Sequence, residues 1–186
     1  MGKPRRAALL GSAPSSEYAF KSQSDGYFLY STPIIIHGSL VGTTLQGGEY
    51  GFGTIFYLRQ TSKGVVKTTL YSFQDSDNDG AFPGPNLAVD RALNLYGTTG
   101  QGGCGPNCQG VGTVFQLAPP ASQGAGWSEK MLYAFSGGSD GALPSGGVLL
   151  SDRSLLGTTA RGGGSPRCDK FVGIANGCGT VFAIRP

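Results

Sequence analysis

Two short sequence motifs, which we call the first and the second word, occur three times in this chain, each time separated by a loop of variable length. The first word ends in Gly-Thr-Thr and the second reads Gly-Thr-[Ile/Val]-Phe. The glycines of the first word, Gly42, Gly97 and Gly157, are 55 and 60 residues apart. A repeat of this length is one structural unit used three times, and such units bury their apolar surfaces against each other.

The shared words divide the chain into a tail and three units that together form one domain. The basic segment 1–16 is predicted to be a disordered tail. Residues 17–69 form a degenerate first repeat, 70–130 the second repeat and 131–186 the third. Each repeat begins with an aromatic segment, which ends at Phe20, Phe73 and Phe135, and continues with an Asp-Gly turn, at Asp25, Asp79 and Asp140.

Each unit is expected to contain four short strands and almost no helix. Short segments rich in Val, Ile, Thr, Tyr and Phe lie between clusters of Gly, Asp and Pro, which is typical of all-β chains. The aromatic segment is predicted to be the first strand, and the two words the third and fourth. The repeat-defining structural residues are Gly42, Thr43, Gly97, Thr98, Gly157 and Thr158 in the first word and Phe56, Phe115 and Phe182 in the second.

The fourth strand predicts how the units pack. Both of its faces carry apolar residues, so we expect each small sheet to be covered on both sides. The predicted fold is all-β, with three four-stranded antiparallel units arranged as blades of a β-propeller. The glycine of each word is expected to let neighbouring backbones approach closely. A closed three-fold β-trefoil or prism-like fold is the alternative.

The copy number leaves the propeller incomplete. Propellers close with about four to eight blades, whereas this sequence has three repeats. Either the chain is part of a longer protein, or two copies close a six-bladed ring, or the three units form an open arc. Uncovered sheet edges favour association, so self-association to close a ring is expected.

The second repeat carries the clearest family signal. It reads Leu-Tyr-Ser-Phe at residues 70–73, Asp79-Gly80, Asn-Leu-Tyr-Gly-Thr-Thr at 94–99 and Gly-Thr-Val-Phe at 112–115. These words resemble the GloVer tandem-repeat family over about residues 17–186. The resemblance implies a propeller-like protein exported to the bacterial cell surface or the extracellular space, and it implies no reaction. No export signal is evident in this chain, since the apolar run at residues 7–10 is shorter than the ~7–15 residues that a signal needs.

The four cysteines fall in the same loop of the second and third repeats. This equivalent placement predicts the disulfides Cys104–Cys108 and Cys168–Cys178, and therefore an oxidising compartment. A zinc site would need two closely spaced pairs or histidine partners, and the second pair is too widely spaced. Free thiols are the remaining alternative.

One Asp-rich loop indicates a possible calcium ion. Asp75, Asp77 and Asp79 stand at alternate positions before Gly80, as in loops that gather oxygens around Ca²⁺. Asn86 holds the twelfth position in place of the bidentate Glu, so the loop is not an EF-hand. The other repeats keep only the final Asp-Gly, which turn chemistry explains equally well.

Neither charge nor reactive groups indicate catalysis or nucleic-acid binding. From residue 7 onward, 11 basic residues face 11 acidic ones, so no basic surface for nucleic acid is expected. The single His37 stands at a turn, and no catalytic residue is predicted. No run reaches the ~20 apolar residues of a membrane span. The sequence favours a non-catalytic exported module for cell-surface architecture or for binding a protein or carbohydrate. A carbohydrate-active enzyme with a site between blades and a calcium-stabilised adhesive propeller are the alternatives.

Overall fold

The fold is built from antiparallel β-sheet. The computed structural model describes residues 18–103, 110–144, 146–164, 168 and 177–186. These residues contain twelve strands and a 3-10 turn at Gln23–Asp25, so the all-β prediction is confirmed. No helix in these residues has the length and apolar character needed to cross a membrane.

The strands form three antiparallel sheets, and within the described ranges no strand of one sheet pairs with a strand of another. The first sheet consists, in order, of β1 (Ile34–Ile36), β2 (Ser39–Thr44), β3 (Thr54–Thr61) and β4 (Gly64–Ser72). In the second sheet, β5 (Gly80–Pro83) and β6 (Ala88–Val89) both pair with β7 (Leu95–Gly102), followed by β8 (Thr113–Ala118) and β9 (Ser128–Ala134). The third sheet consists of β10 (Val148–Ser151), β11 (Ser154–Thr158) and β12 (Val181–Ile184).

The sheets are offset from the sequence repeats by one strand. Strand β4 runs past the border predicted at residue 69, and β9 runs past the border at 130. The aromatic segments that end at Phe73 and Phe135 therefore form the last strand of the preceding sheet, not the first strand of their own. The prediction that they open each sheet was wrong, because their backbones bond to the preceding unit while their rings face the following one.

The glycine of the first word makes room for an aromatic ring on the neighbouring strand. Gly97 is paired directly with Phe115, and a Cβ on this glycine would lie 2.6 Å from the ring of Phe115. The same pairing joins Gly42 to Phe56 and Gly157 to Phe182. A glycine that is covered by a cross-strand aromatic ring is a known way to stabilise a strand pair. The nearest obstacle at the first-word glycines is thus a ring, and the expected close backbone approach was wrong there. It is confirmed at the second-word glycines Gly53, Gly112 and Gly179, where a Cβ would collide with the backbone carbonyl of Thr44, Thr99 or Thr159.

The second threonine of the first word forms a buried hydroxyl pair with the threonine of the second word. The three hydroxyl–hydroxyl distances are 2.9, 2.8 and 2.9 Å, for Thr44 with Thr54, Thr99 with Thr113 and Thr159 with Thr180. In each repeat the first partner also donates to the carbonyl two residues further along. Buried polar groups need such partners, so these threonines recur because they tie two strands together.

Each sheet packs one face against the opposite face of the next. We name the face that carries Ile55 in the first sheet, Val114 in the second and Val181 in the third the forward face. The other face, which carries the phenylalanine of the second word, is the back face. One buried cluster joins the forward face of the first sheet to the back face of the second: Val41, Ile55, Phe73, Leu87, Leu95, Phe115 and Leu117. A second cluster joins the second and third sheets in the same way: Tyr96, Val111, Val114, Phe135, Ala142, Val148 and Leu155.

Replacing Gly97 with alanine tests the glycine–ring pairing. The new Cβ overlaps the ring of Phe115, which is fully buried and cannot move without disturbing the core. We expect Gly97→Ala to lower the free energy of unfolding by about 1–3 kcal/mol in urea titrations. The matched control is Gly126→Ala, because nothing lies within 4 Å of a Cβ at Gly126. Equal stability of the two variants would contradict the pairing.

Candidate functional site

A cavity of about 530 Å³ lies where the three repeats meet, beside strands β2, β5 and β7. We name it the inner cleft. Its lining includes residues from the first repeat, the second repeat and the third repeat: Tyr30, Gln46, Phe82, Pro83, Gln101 and Leu143. The volume is within the range of small-ligand sites, about 300–1,000 Å³. The cleft is the place in the described structure where all three repeats contribute to one concave surface.

Residues at one equivalent position of the three repeats share an unusual backbone conformation, and two of them, Phe82 and Leu143, line the inner cleft. Phe28, Phe82 and Leu143 each follow the turn aspartate by three residues, and their φ angles are +56°, +58° and +55°. Bulky residues rarely adopt positive φ, and such strain is concentrated at binding and catalytic sites. The preceding unit holds the last two in place, because Phe82 N–H donates to the Phe52 carbonyl at 2.8 Å and Leu143 N–H to the Val111 carbonyl at 2.7 Å.

The residues that line the inner cleft are uncharged. No Asp, Glu, Lys, Arg or His is among the described residues that line it. Tyr30 is 68% exposed, and its ring stacks on Phe28 with 6.3 Å between the ring centres, while Phe82 offers a second ring to the cleft. Gln46 and Gln101 bring amide groups that can both donate and accept hydrogen bonds. Apolar surface with a few polar groups suits a neutral ligand that has a flat apolar face and hydroxyl groups.

The aspartates of the Asp-Gly turns bind tyrosines of their own repeats. The hydroxyl of each tyrosine donates to the carboxylate at 3.1, 3.0 and 3.0 Å, for Tyr18 with Asp25, Tyr71 with Asp79 and Tyr133 with Asp140. Each carboxylate also accepts a backbone N–H from the same turn. The three carboxylates therefore tie the aromatic strands to separate turns, and none of them lines the inner cleft.

The family of the chain follows from the same repeated words. The sequence model of a protein family described as the Gloeobacter/Verrucomicrobia repeat matches residues 6–171. The chain belongs to this repeat family. The membership expected from the GloVer words is thereby confirmed. No curated protein and no solved structure matches the chain.

The turn before the first word of the second repeat uses its aspartate in the same structural way. Asp90 accepts hydrogen bonds from the backbone of Ala92 and Asn94, from the Asn94 amide and from the Tyr96 hydroxyl. Partial burial opposes ionisation of Asp90, but these donors outweigh it and lower its pKa. His37 and Asp152 hold the corresponding turns at φ +47° and +45°. These side chains shape turns between strands.

The predicted calcium loop does not gather its carboxylates in this structure. Asp79 is buried and bound to Tyr71, Gln74 and Gly80, while Asp75 has φ +54° and donates its N–H to the Gly80 carbonyl. In the part of the chain that the structure describes, no group of three or more His, Cys, Asp or Glu side chains is arranged to hold a metal ion. Calcium binding by Asp75, Asp77 and Asp79 stays a prediction.

One of the two predicted disulfides is present. Cys168 and Cys178 are bonded, with their Cα atoms 5.4 Å apart, and the bond closes the long loop of the third repeat. This distance is in the middle of the range that disulfides adopt. Cys104 and Cys108 lie outside the described residues, so their bond stays a prediction.

Two charged residues outside the repeated words, and not predicted as site residues, occupy one equivalent position in the first and second sheets. Lys67 and Glu129 each precede the tyrosine of their outer strand by four residues. Lys67 Nζ lies 3.0 Å from the Asp25 carboxylate, and its side chain is almost fully buried. In the second sheet the same position brings Glu129 toward Asp79, so two acids meet where the first sheet has an ion pair.

Glu129 is a buried acid without a hydrogen-bond partner. Its Oε1 atom is inaccessible to solvent and bonded to nothing. Burial raises the pKa of Glu129 to about 8, and the nearby charge of Asp79 adds to the shift. Burial also raises the pKa of Asp79 and outweighs its three hydrogen bonds. Aligning the sequences of the two outer strands could have revealed Glu129, because it stands at the position where the first sheet has Lys67.

The stability of the protein should therefore fall as pH rises from about 5 to 8. Unfolded Glu129 has a pKa near 4.5 and is already ionised through most of this range, whereas folded Glu129 keeps its proton up to about pH 8. The folded state then binds more protons than the unfolded state, so raising the pH favours unfolding. Urea titrations at several pH values measure this slope.

Two substitutions at Glu129 test the assignment. Glu129→Gln should remove most of the slope, and Glu129→Lys should raise the free energy of unfolding at pH 8 by about 1–2 kcal/mol, because it recreates the ion pair of the first sheet. Glu49→Gln, at an exposed glutamate, is the control. An unchanged slope in Glu129→Gln would show that another group is responsible.

Proposed function

We propose that this chain is a non-catalytic, exported binding module, whose three sheets are successive blades of a β-propeller and whose inner cleft takes a neutral glycan. The observation that carries this proposal is the uncharged cleft to which all three repeats contribute. Ligand sites of propellers lie where blades converge, and a cleft that all three repeats line is consistent with such a site.

The packing of the sheets supports the propeller. The forward face of one sheet covers the back face of the next at both contacts between sheets, with equivalent residues each time. A constant step from unit to unit is what generates a radial array. The long strands β4 and β9 form the last edge of their sheets, and strand β5 at the other edge of the second sheet lines the inner cleft through Phe82 and Pro83.

The lining of the inner cleft supports a carbohydrate ligand. Rings such as those of Tyr30 and Phe82 can lie against the apolar face of a sugar, and the amides of Gln46 and Gln101 can exchange hydrogen bonds with its hydroxyl groups. Strongly ionic ligands are disfavoured, because burying their charge without a partner is costly.

Export to the cell surface or beyond is supported by the Cys168–Cys178 disulfide, since such bonds persist in oxidising compartments. The repeat family, through the GloVer resemblance, points to the bacterial cell surface. A module with an exposed sugar-binding cleft would serve there in attachment to glycans or in the architecture of the surface layer.

A carbohydrate-active enzyme is the alternative function, and the experiment has to distinguish it from a binding module. Such an enzyme places two carboxyl groups about 5–10 Å apart at the bound sugar. In the described repeats, the recurring carboxylates hold turns and do not line the inner cleft. A binding role therefore accounts for the arrangement better than hydrolysis.

The direct test is a binding screen with neutral oligosaccharides. Cello-, xylo-, manno- and chito-oligosaccharides are titrated against the protein by calorimetry, and the supernatants are analysed for cleavage. We expect one class to bind and Tyr30→Ala to weaken its binding about tenfold, which corresponds to ~1.4 kcal/mol. Tyr50→Ala is the matched control, because Tyr50 is an exposed tyrosine that lines a different groove.

Four results are decisive. Binding that is lost in Tyr30→Ala and kept in Tyr50→Ala supports the inner cleft. Binding that both variants keep places the ligand elsewhere, and binding to no member of the panel contradicts the glycan proposal. Release of shorter products would favour the enzyme.

A further inference from the structure

The third sheet leaves its forward face uncovered. Val181 is 82% exposed, whereas its equivalents Ile55 and Val114 are 0% exposed because the next sheet covers them. Leu149 and Leu156 are exposed on the same face. Together these three side chains form an apolar surface of the kind that marks an interaction site.

The outer edge of the third sheet is also incomplete. Strands β3 and β8 each pair with a long outer strand, but no described residue pairs with the outer edge of β12. In the first two sheets a backbone hydrogen bond follows the end of the outer strand. Phe73 N–H donates to the Gly53 carbonyl and Phe135 N–H donates to the Gly112 carbonyl, both at 3.0 Å. The equivalent carbonyl in the third repeat is that of Gly179. An unpaired strand edge is a template for another strand.

The first repeat carries the matching half of this contact. Phe20 packs edge-on against Phe56 with ring centres 5.1 Å apart, as Phe73 packs on Phe115 at 5.2 Å. Tyr18 bonds to Asp25 as the other tyrosines bond to their turn aspartates. The aromatic segment of the first repeat is thus already positioned on its own back face, but in the described structure it pairs with no strand.

We propose that a second copy of this chain docks head to tail, so that the back face of its first sheet covers the forward face of the third sheet. Residues 18–20 of the second copy then form the fourth strand beside β12. By the register of β3 with β4 and of β8 with β9, Tyr18 lies opposite Val181, and Phe20 N–H donates to the Gly179 carbonyl. The inference uses the blade arrangement proposed above and is independent of the ligand.

A second copy is the occupant because the chain carries both halves of an interface that it already forms twice internally. Each copy offers the forward face of its third sheet and the back face of its first sheet, on which Ile35 is 73% exposed, so two copies form two identical contacts. The result is a closed ring of six sheets, within the range of about four to eight blades at which propellers close.

Leu29, near the start of the first repeat, can be substituted to test the part of the interface that the back face contributes. Pro83 and Pro144 lie against Gly53 and Gly112 of the preceding unit. Leu29 occupies the same position in the first repeat and is exposed. In the ring, Leu29 of one copy contacts Gly179 of the other. A charge at Leu29 or at Val181 therefore blocks one half of the contact without touching the core of a single chain.

Light scattering on a sizing column measures the association. We expect the wild-type chain at tens of micromolar to form a species of about 38 kDa, twice the 19.1 kDa of one chain. Leu29→Glu and Val181→Glu should each be monomeric, because both contacts are then blocked. Val66→Glu, at an exposed valine on β4, should remain a dimer and is the control. A monomeric wild-type chain, or dimers in both blocked variants, would overturn the proposal.

Mixing the two blocked variants tests the head-to-tail geometry. The mixture contains one intact forward face and one intact back face, so a two-chain species should reappear. Its absence would mean that like faces meet, which overturns the proposal. The monomeric Val181→Glu variant should still bind the oligosaccharide found for the wild-type chain, since the inner cleft lies within one copy. Failure of the ring and failure of the glycan proposal are thus distinguishable.

Discussion

The structure depends on an aromatic ring that is fixed from two sides. The ring of Phe115 lies over Gly97 of the neighbouring strand and meets the edge of Phe73 at 5.2 Å. Because Phe73 follows the outer strand of the first sheet, this contact locks two sheets together and not only two strands. The same arrangement recurs as Phe135 on Phe182 over Gly157. The strands of the two words pair in the same register in every repeat, although the loop between them varies in length, and this register sets the ring over the glycine.

The other recurring residues hold this contact in register. The Tyr71–Asp79 hydrogen bond ties the outer strand to the turn that opens the next sheet, and the Thr99–Thr113 hydroxyl pair joins the strands beneath the ring. Side chains present in all repeats are thus used for architecture. Individual chemistry is found where the repeats differ, as at Tyr30 in the inner cleft and at Glu129, which replaces the lysine of the first sheet.

Much of this fold could be predicted from the sequence, because strand composition and turn residues are local signals. The strands that contain Thr43 and Phe56, and the bond between Cys168 and Cys178, follow from such signals. The offset of the sheets could not be predicted, since a periodic sequence does not reveal which neighbour the aromatic strand bonds to. The inner cleft is made by loops of three repeats, and Glu129 lies outside every shared word, so neither left a local pattern.

A double-mutant cycle on Phe73 and Phe115 tests the central claim most directly. Phe73→Leu, Phe115→Leu and the double variant are unfolded in urea, and the coupling free energy is calculated from the four stabilities. The account predicts a favourable coupling of about 0.5–1.5 kcal/mol, because the two rings stabilise each other across the sheets. Effects that add to within about 0.3 kcal/mol would contradict it, since the sheets would then be held together without this contact.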